Sequence, residues 1–273
     1  MRALLLAAGL GTRLKPLTNY LPKCLIPIHG RPLIDYWFEN LINKGINEIL
    51  INTHYFAPMV TAYIRQSSWS KSICIVNEEN LLGTGGTVLS NRDFFREEPF
   101  LVAHADNLTL FDVDEFLNSH ASRPSGTEIT MMLFKTEHPH SCGVVKLDAR
   151  GVVQAFYEKV NDPPGNLANA AVYILEPTVL NMMSKLGKQQ IDFSTEVIPE
   201  FMGKIFTFRN EAYHRDIGTV SSWLEANFDF VSERNDFSNA DAWQTIVGKT
   251  DARITKAINI FSQEFAGNMD KSK

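Results

Sequence analysis

Ala3-Leu4-Leu5-Leu6-Ala7-Ala8-Gly9-Leu10-Gly11-Thr12-Arg13-Leu14 opens with six apolar residues and breaks at a glycine. A short, uninterrupted apolar run is expected of a parallel strand buried on both faces. The loop leaving such a strand lies at the carboxyl edge of the sheet, where open α/β sheets bind ligands. Gly9 and Gly11 let the backbone approach a phosphate closely, and successive N–H groups there form an anion nest. Arg13 adds positive charge on the loop, and Lys23 adds more ten positions on.

Three readings of this loop compete. A dinucleotide-binding G-x-G-x-x-G needs a third glycine, and Leu14 stands in its place. A P-loop closes on G-K-[ST], which the segment lacks. A plain strand-to-loop turn accounts for the glycines but not for the two basic residues.

Outward from this point, strand-like and helix-like segments alternate. Pro32 to Lys44 reads as a helix with Leu33, Trp37, Leu41 and Ile42 on one face. Glu48 to Asn52 is a strand, Pro58 to Gln66 a helix, Ser72 to Val76 a strand and Thr87 to Phe95 a helix. Phe100 to Ala103 is a fourth strand, running out at Asp106. This alternation predicts an α/β fold with a doubly wound, mostly parallel mixed sheet. The middle of the chain is richer in strands: Glu128 to Phe134, Gly143 to Leu147, Val152 to Tyr157 and Asn169 to Leu175. Asp148-Ala149-Arg150-Gly151 reads as a hairpin turn between two of them. The pattern changes after about residue 235, so residues 1–235 are expected to form one domain and 236–273 a helical extension. Ile254, Ala257, Ile258, Phe261 and Phe265 fall at the spacing of an amphipathic helix. Packing of that helix on its own domain competes with homodimer formation.

Composition sets outer limits. Of 273 residues 44% are hydrophobic and 21% charged, enough apolar content for a core. A formal net charge of -5 argues against a nucleic-acid groove or an anionic membrane surface as partner. Cys24, Cys74 and Cys142 are too scattered for a disulfide framework or zinc site, which fits a reducing cytoplasm. No apolar run approaches the roughly 20 residues of a membrane span, and the opening apolar stretch is not shaped like a signal peptide. The histidines His29, His54, His120, His138 and His140 form no ligand set and are read as structural or surface residues; Trp37 and Trp223 are read as core.

L-A-A-G-x-G-T-R-L-x-P-L-T followed by P-K, from Leu6 through Lys23, resembles the signature of the sugar-1-phosphate nucleotidyltransferases, the nucleoside-diphosphate-sugar pyrophosphorylases. The resemblance covers roughly residues 1 to 230 and implies a Rossmann-like fold of the nucleotide-diphospho-sugar transferase type. It implies that Leu6, Ala7, Ala8, Gly9, Gly11 and Thr12 wrap a nucleoside triphosphate while Arg13 and Lys23 contact its phosphates. Asn77-Glu78-Glu79-Asn80-Leu81-Leu82-Gly83-Thr84-Gly85-Gly86 is similar to the base-recognition segment, with Asn77, Gly83 and Thr84 at the nucleotide. Its L-G-T-G-G wording is closer to mannose or heptose 1-phosphate guanylyltransferases than to thymidylyltransferases; a helix-entry turn is the plain structural alternative.

Asp106, in Ala103-His104-Ala105-Asp106-Asn107, stands where the family has a metal-binding aspartate, although Ala105 replaces the usual preceding glycine. Asp216, in Tyr213-His214-Arg215-Asp216-Ile217-Gly218-Thr219, corresponds to the second metal carboxylate, with His214 at a position usually aromatic. Mg²⁺ is the cofactor so implied, since it takes oxygen ligands and keeps waters and phosphate oxygens. Gly143, in Cys142-Gly143-Val144-Val145, looks like the strand that closes over the sugar. Glu158-Lys159 resembles the E-K-P motif, and Asn169-Ala170-Ala171-Val172-Tyr173 resembles N-A-G-I-Y. Glu158 and Asn169 would then meet the sugar and Lys159 its phosphate.

The implied reaction is attack of a sugar phosphate oxygen on the α-phosphorus of a nucleoside triphosphate, with pyrophosphate leaving. The nucleophile is already anionic, so positioning and charge neutralisation carry the step. Arg13, Lys23 and Asp106 are the residues expected to be catalytic. A non-catalytic nucleotide-sugar-binding regulatory subunit and a hydride-transferring dehydrogenase are the rivals from other classes.

Overall fold

The structure is a computed structural model that describes residues 1–231 and 237–248. The amphipathic pattern from Ile254 to Phe265 lies outside the described residues.

The elements follow from the hydrophobic pattern. The first half contains β1 (Arg2–Leu6), the short hairpin β2 (Pro27–Ile28) and β3 (Arg31–Pro32), α1 (Leu33–Ile42), β4 (Ile49–Thr53), α2 (Ala57–Gln66), β5 (Ile73–Asn77) and α3 (Gly83–Ser90). Next come β6 (Phe100–His104), β7 (Asn107–Leu110), α4 (Val113–Ala121), β8 (Ile129–Lys135), β9 (Gly143–Leu147), β10 (Val153–Glu158) and β11 (Leu167–Leu175). The chain continues through α5 (Pro177–Lys185), β12 (Ile205–Arg209), β13 (Tyr213–Asp216), α6 (Val220–Asp229) and α7 (Ala240–Val247).

Among the described residues, nine strands form one mixed sheet with the path β10-β9-β11-β6-β1-β4-β5, and with β8 and β12 branching off β11. β6, β1, β4 and β5 are mutually parallel. β11 runs antiparallel to β6, so the strand-rich middle joins the parallel half at that edge. Succession from β1 to β4 to β5 moves outward in one direction, and β6 returns to the other side of β1. That reversal opens a crevice beyond the carboxyl ends of β1 and β6, the place where open α/β sheets take ligands.

β1 is buried along its whole length. Because side chains alternate across a strand, Ala3 and Leu5 enter one core and Leu4 and Leu6 the other. The first core lies under α1, α2, α6 and α7, and includes Trp37 and Trp223 as expected. Both indoles also bond backbone: Trp37 Nε1 donates to Asn107 O at 2.8 Å and Trp223 Nε1 to Pro27 O at 2.7 Å. The second core lies under α3 and α5. α7 is fastened to the first by Trp243, edge-on to Tyr63 at 6.1 Å, and by Asn239, which donates to Asp35 Oδ2 at 3.0 Å.

The third helix departs from expectation. It starts at Gly83 rather than Thr87 and ends at Ser90, and a separate 3-10 turn covers Arg92–Phe95. Three glycines in four residues hide a helix start, since glycine is a poor helix former. Here they are set by packing. The N–H groups of Gly85 and Gly86 donate to Ile191 O at 2.8 and 3.1 Å, and Ile191 N donates to Leu82 O at 2.9 Å. A Cβ on Gly86 would lie 2.2 Å from Gln189 O, and one on Gly83 2.6 Å from Ile191 O. The hairpin turn at Asp148 to Gly151 forms as read, with Gly151 at φ +76° and its N–H on Asp148 O.

Gly86→Ala should therefore destabilise the protein. Backbone must shift to admit the methyl group, and overpacking of that kind costs about 1–3 kcal/mol. The expected drop in melting temperature is several degrees by calorimetry, and an unchanged melting temperature would contradict the packing account.

Candidate active site

The glycine loop occupies the crevice. Ala7 and Ala8 are still buried, and Gly9 has open space where a side chain would project. Gly11 sits at φ +60°, and its O accepts from Thr18 Oγ at 2.7 Å. A Cβ there would meet Thr18 Cγ2 at 2.8 Å, so this position requires glycine on both counts. Short 3-10 turns at Thr12–Leu14, Leu17–Asn19 and Lys23–Leu25 fold the loop back over the sheet edge.

Lys23 is only 6% exposed. Its Nζ lies 2.7 Å from Asp106 Oδ2 and 3.2 Å from Asp216 Oδ1. Arg13, largely exposed, reaches to 3.9 Å from Asp216 Oδ2. Two pieces of backbone bring the distant aspartates together. Asp106 sits in the turn after β6, anchored by Ala105 N donating to Leu6 O at 3.0 Å. Asp216 ends β13, which pairs antiparallel with β7 in a register that sets Asp216 opposite Asn107. The same D-I-G-T segment then starts α6, where Thr219 and Ser222 cap each other reciprocally. Gly218 is needed between them, since a Cβ there would fall 2.7 Å from Asp216 Oδ2 and 3.1 Å from Arg13 Nη2.

Burial alone would lower the Lys23 pKa, but the two carboxylates outweigh it and hold the ammonium above its ordinary value. Burial would likewise raise Asp106, and Lys23 with its hydrogen bond reverses this, leaving the carboxyl below its ordinary range. His104, beside the pair at the end of β6, is lowered chiefly by burial. His214 stands in for an aromatic residue in fact as well as in position. Burial pushes its pKa down to about 3, its ring lies 4.1 Å from that of Phe134, and its Nδ1 pairs with Thr109 Oγ at 2.9 Å.

A second group of residues, not singled out from the sequence, ties the glycine loop to α3. Asn52 at the end of β4 accepts from Ala7 N at 2.8 Å and donates to Glu78 Oε1 at 3.0 Å. Glu78, itself buried, accepts from Thr87 Oγ at 2.6 Å and from Leu82 N at 3.4 Å. An asparagine closing the apolar run Ile49-Leu50-Ile51 was the available signal. Asn77, named from the resemblance, is exposed at the end of β5. Thr84 accepts from Phe193 N at 2.8 Å. With Gly85 and Gly86 donating to Ile191, part of the L-G-T-G-G backbone is already engaged within the fold.

Gly143, Glu158 and Asn169 come together on three adjacent strands. Glu158 pairs directly with Gly143, and Ala168 pairs with Val144. A Cβ on Gly143 would lie 2.6 Å from Glu158 Oε2 and 2.4 Å from Phe156 Cζ, so glycine makes room for the carboxylate. Lys159 Nζ lies 3.2 Å from Glu158 Oε1 and is exposed. Asn169 Oδ1 accepts from Ala171 N at 2.9 Å, and Nδ2 donates to Tyr173 Oη at 2.6 Å. The register Val172 to Ala103 places Asn169 at the carboxyl end of β6, the edge from which Asp106 leaves. Asn107 Nδ2 donating to Ala170 O at 3.4 Å closes that junction.

Among the described residues no cluster of three or more His, Cys, Asp or Glu side chains could hold a metal ion. Asp106 and Asp216 offer a two-carboxylate, oxygen-only set. Among the described residues no helix is long and apolar enough to cross a membrane.

Comparison with known proteins finds relatives in sequence and in fold. Mannose-1-phosphate guanylyltransferase of Mycobacterium tuberculosis is 30% identical over 234 residues, covering 84% of this chain and 64% of that protein. The mannose-1-phosphate guanylyltransferase catalytic subunit beta of Xenopus tropicalis is 29% identical over 231 residues, covering 82% of this chain and 63% of that one. The chain thus spans a little under two thirds of the length of these relatives. Among solved structures, one assigned to a glucose-1-phosphate thymidylyltransferase from Bacillus anthracis superposes with a TM-score of 0.78 at 19% identity, covering 88% of this chain and 99% of that one. HddC from Yersinia pseudotuberculosis, also solved with GMP-PN, gives 0.71 at 23% identity, covering 83% of this chain and 97% of that one. These two likenesses establish the shared fold. The nucleotidyl transferase profile matches residues 2–233, nearly the whole described length, and the chain belongs to that family.

Proposed function

We propose that the chain transfers a nucleoside monophosphate from a nucleoside triphosphate, GTP, to the 1-phosphate of a mannose- or heptose-type sugar, forming a nucleoside diphosphate sugar and releasing pyrophosphate. The observation that carries this reading is the convergence of Lys23, Asp106 and Asp216 beside the glycine loop, at the point where the strand order reverses. A phosphate chain laid on that loop would meet backbone N–H groups, Arg13 and Lys23 together.

The donor set fits Mg²⁺, which is bound through one or two carboxylates plus substrate phosphates and waters. Held by Asp106 and Asp216, it would supply charge neutralisation to phosphate oxygens. The chain's own residues do the rest. Lys23 donates to the α-phosphate as charge builds there, and Arg13 to the departing pyrophosphate. Lys159 receives the sugar phosphate, and Glu158 and Asn169 fix the sugar hydroxyls. No general base is needed, since the attacking oxygen is anionic, so alignment and electrostatics carry the rate. Support for guanine comes from the relatives named guanylyltransferases and from the GMP-PN complex of HddC. UTP, CTP or dTTP in its place would leave the reaction class intact. The same reading has small molecules as the partners, cytoplasm as the site of action, a catalytic unit of residues 1–235 and a C-terminal extension open to homodimer contact.

Chelation should abolish pyrophosphate release, and Mg²⁺ should restore it; turnover in metal-free buffer would sink the two-aspartate reading.

Lys159→Ala should mainly raise KM for the sugar 1-phosphate. Lys23→Ala should mainly lower kcat, because its contact strengthens as charge develops. Unchanged sugar-phosphate kinetics in Lys159→Ala would remove that residue from the site.

Nucleotide choice is tested by a four-nucleotide panel. kcat/KM for GTP should exceed that for UTP, CTP and dTTP at least about tenfold, roughly 1.4 kcal/mol of discrimination. A preference for a pyrimidine nucleotide would refute guanine alone.

A further inference from the structure

Resting on the nucleotidyltransferase reading and its metal, a more specific role follows for Lys23. Without ligand, the two carboxylates that would hold the metal already share a cation. One ammonium, almost wholly buried, spans them at 2.7 Å to Asp106 Oδ2 and 3.2 Å to Asp216 Oδ1. Arg13 stands at 3.9 Å from the other Asp216 oxygen. Two negative charges thus face two positive ones.

We propose that Lys23 is the built-in counter-ion of the Asp106–Asp216 pair, so that the divalent metal enters as its complex with the nucleotide rather than as a bare ion.

The argument is one of charge balance. A bare divalent ion approaching these carboxylates must displace an ammonium that has no other anion within salt-bridge distance among the described residues, and it is repelled by Lys23 and Arg13 while doing so. A metal–triphosphate complex brings both halves of the exchange. Its metal takes the carboxylates, and its phosphate oxygens take Lys23 and Arg13. Every cation keeps an anionic partner throughout, which matters because a buried charge left unpaired is strongly destabilising. Lys23 is well placed for the change, since a lysine is a point charge on a flexible stem rather than a fixed planar fork. The same arrangement keeps the free protein folded around two close carboxylates without any metal.

The test uses Mn²⁺ as the probe on the full chain. In the wild type without nucleotide, binding read by electron paramagnetic resonance should be weak, and Mn²⁺ alone should not raise the melting temperature. Lys23→Met keeps the apolar stem and removes the charge; it should bind bare Mn²⁺ at least tenfold more tightly, and Mn²⁺ should raise its melting temperature. Lys23→Arg keeps the charge and should leave the binding of bare Mn²⁺ as weak as in the wild type. With a non-hydrolysable GTP analogue, calorimetry should show the wild type binding the analogue at least tenfold more tightly when Mn²⁺ is present. If Lys23→Met does not fold without metal but refolds with Mn²⁺, the counter-ion role is supported. Tight binding of bare Mn²⁺ by the wild type, or no gain in Lys23→Met, overturns the proposal and leaves the metal reading standing. Analogue binding that is indifferent to Mn²⁺, with no Mn²⁺ uptake by either protein, removes the metal reading and the proposal with it.

Discussion

β1 is paired on both edges and buried on both faces, and the order of strands reverses across it. Everything at the site hangs on that placement. With β4 on one side and β6 on the other, the loop leaving β1 cannot continue in the plane of the sheet. It must fold back over the carboxyl ends of its neighbours. The turn after β6 meets it there through the Ala105 to Leu6 hydrogen bond, and Asn52 at the end of β4 meets it through Ala7. Helices on either face then close two separate cores, so the loop has rigid material beneath it and solvent above.

That rigidity is partly polar. Glu78 is a buried carboxylate whose bonds run to Asn52, Thr87 and Leu82. Buried polar groups are costly when unmet and specifying when met, because the surrounding dielectric strengthens both outcomes. Here one amide side chain holds the loop's N–H with its oxygen and the carboxylate with its nitrogen. The glycine loop and the start of α3 are thus parts of one frame, although four strands and two helices separate them in sequence.

The parts of this arrangement that local chemistry dictates could be read from the sequence. The buried strand, its two glycines, the strand–helix alternation and the basic residues of the loop are written in consecutive residues. Asp106 could be placed because it follows a strand. Asp216 could be paired with it only by resemblance, since nothing within the chain's local pattern says that β13 will lie along β7. Long-range register has no local signature. For the same reason the need for glycine at 218 is not visible locally, and Gly85 and Gly86, in the segment similar to a base-recognition one, have Ile191 and Gln189 as close neighbours. A glycine says that something approaches closely; the sequence does not say what.

The two halves of the site are held very differently. Lys23 and the aspartates lie beside a frame of buried hydrogen bonds, which would suit the proposed electrostatic stabilisation, since that must be in place before charge develops. On the proposed sugar side, Lys159 and Ala171 both adopt positive φ, at +51° and +55°, a conformation that side chains with a Cβ adopt only under constraint. Lys159 is kept there by its N–H on Cys142 O, and Ala171 by the bulge in β11 and the Asn169 side chain. Their backbones are fixed, yet among the described residues the Lys159 ammonium lies within salt-bridge distance of Glu158 alone and is open to solvent. A solvent-open ion pair of that kind is worth about 0–1 kcal/mol, so little would oppose the turning of Lys159 to a phosphate in the proposed role. A strained, fixed backbone aims the side chain, and a weak ion pair leaves its end free. In the proposed reading, the nucleotide half is thus preorganised while the acceptor half is directed but adjustable, as would suit a site that brings two substrates into line.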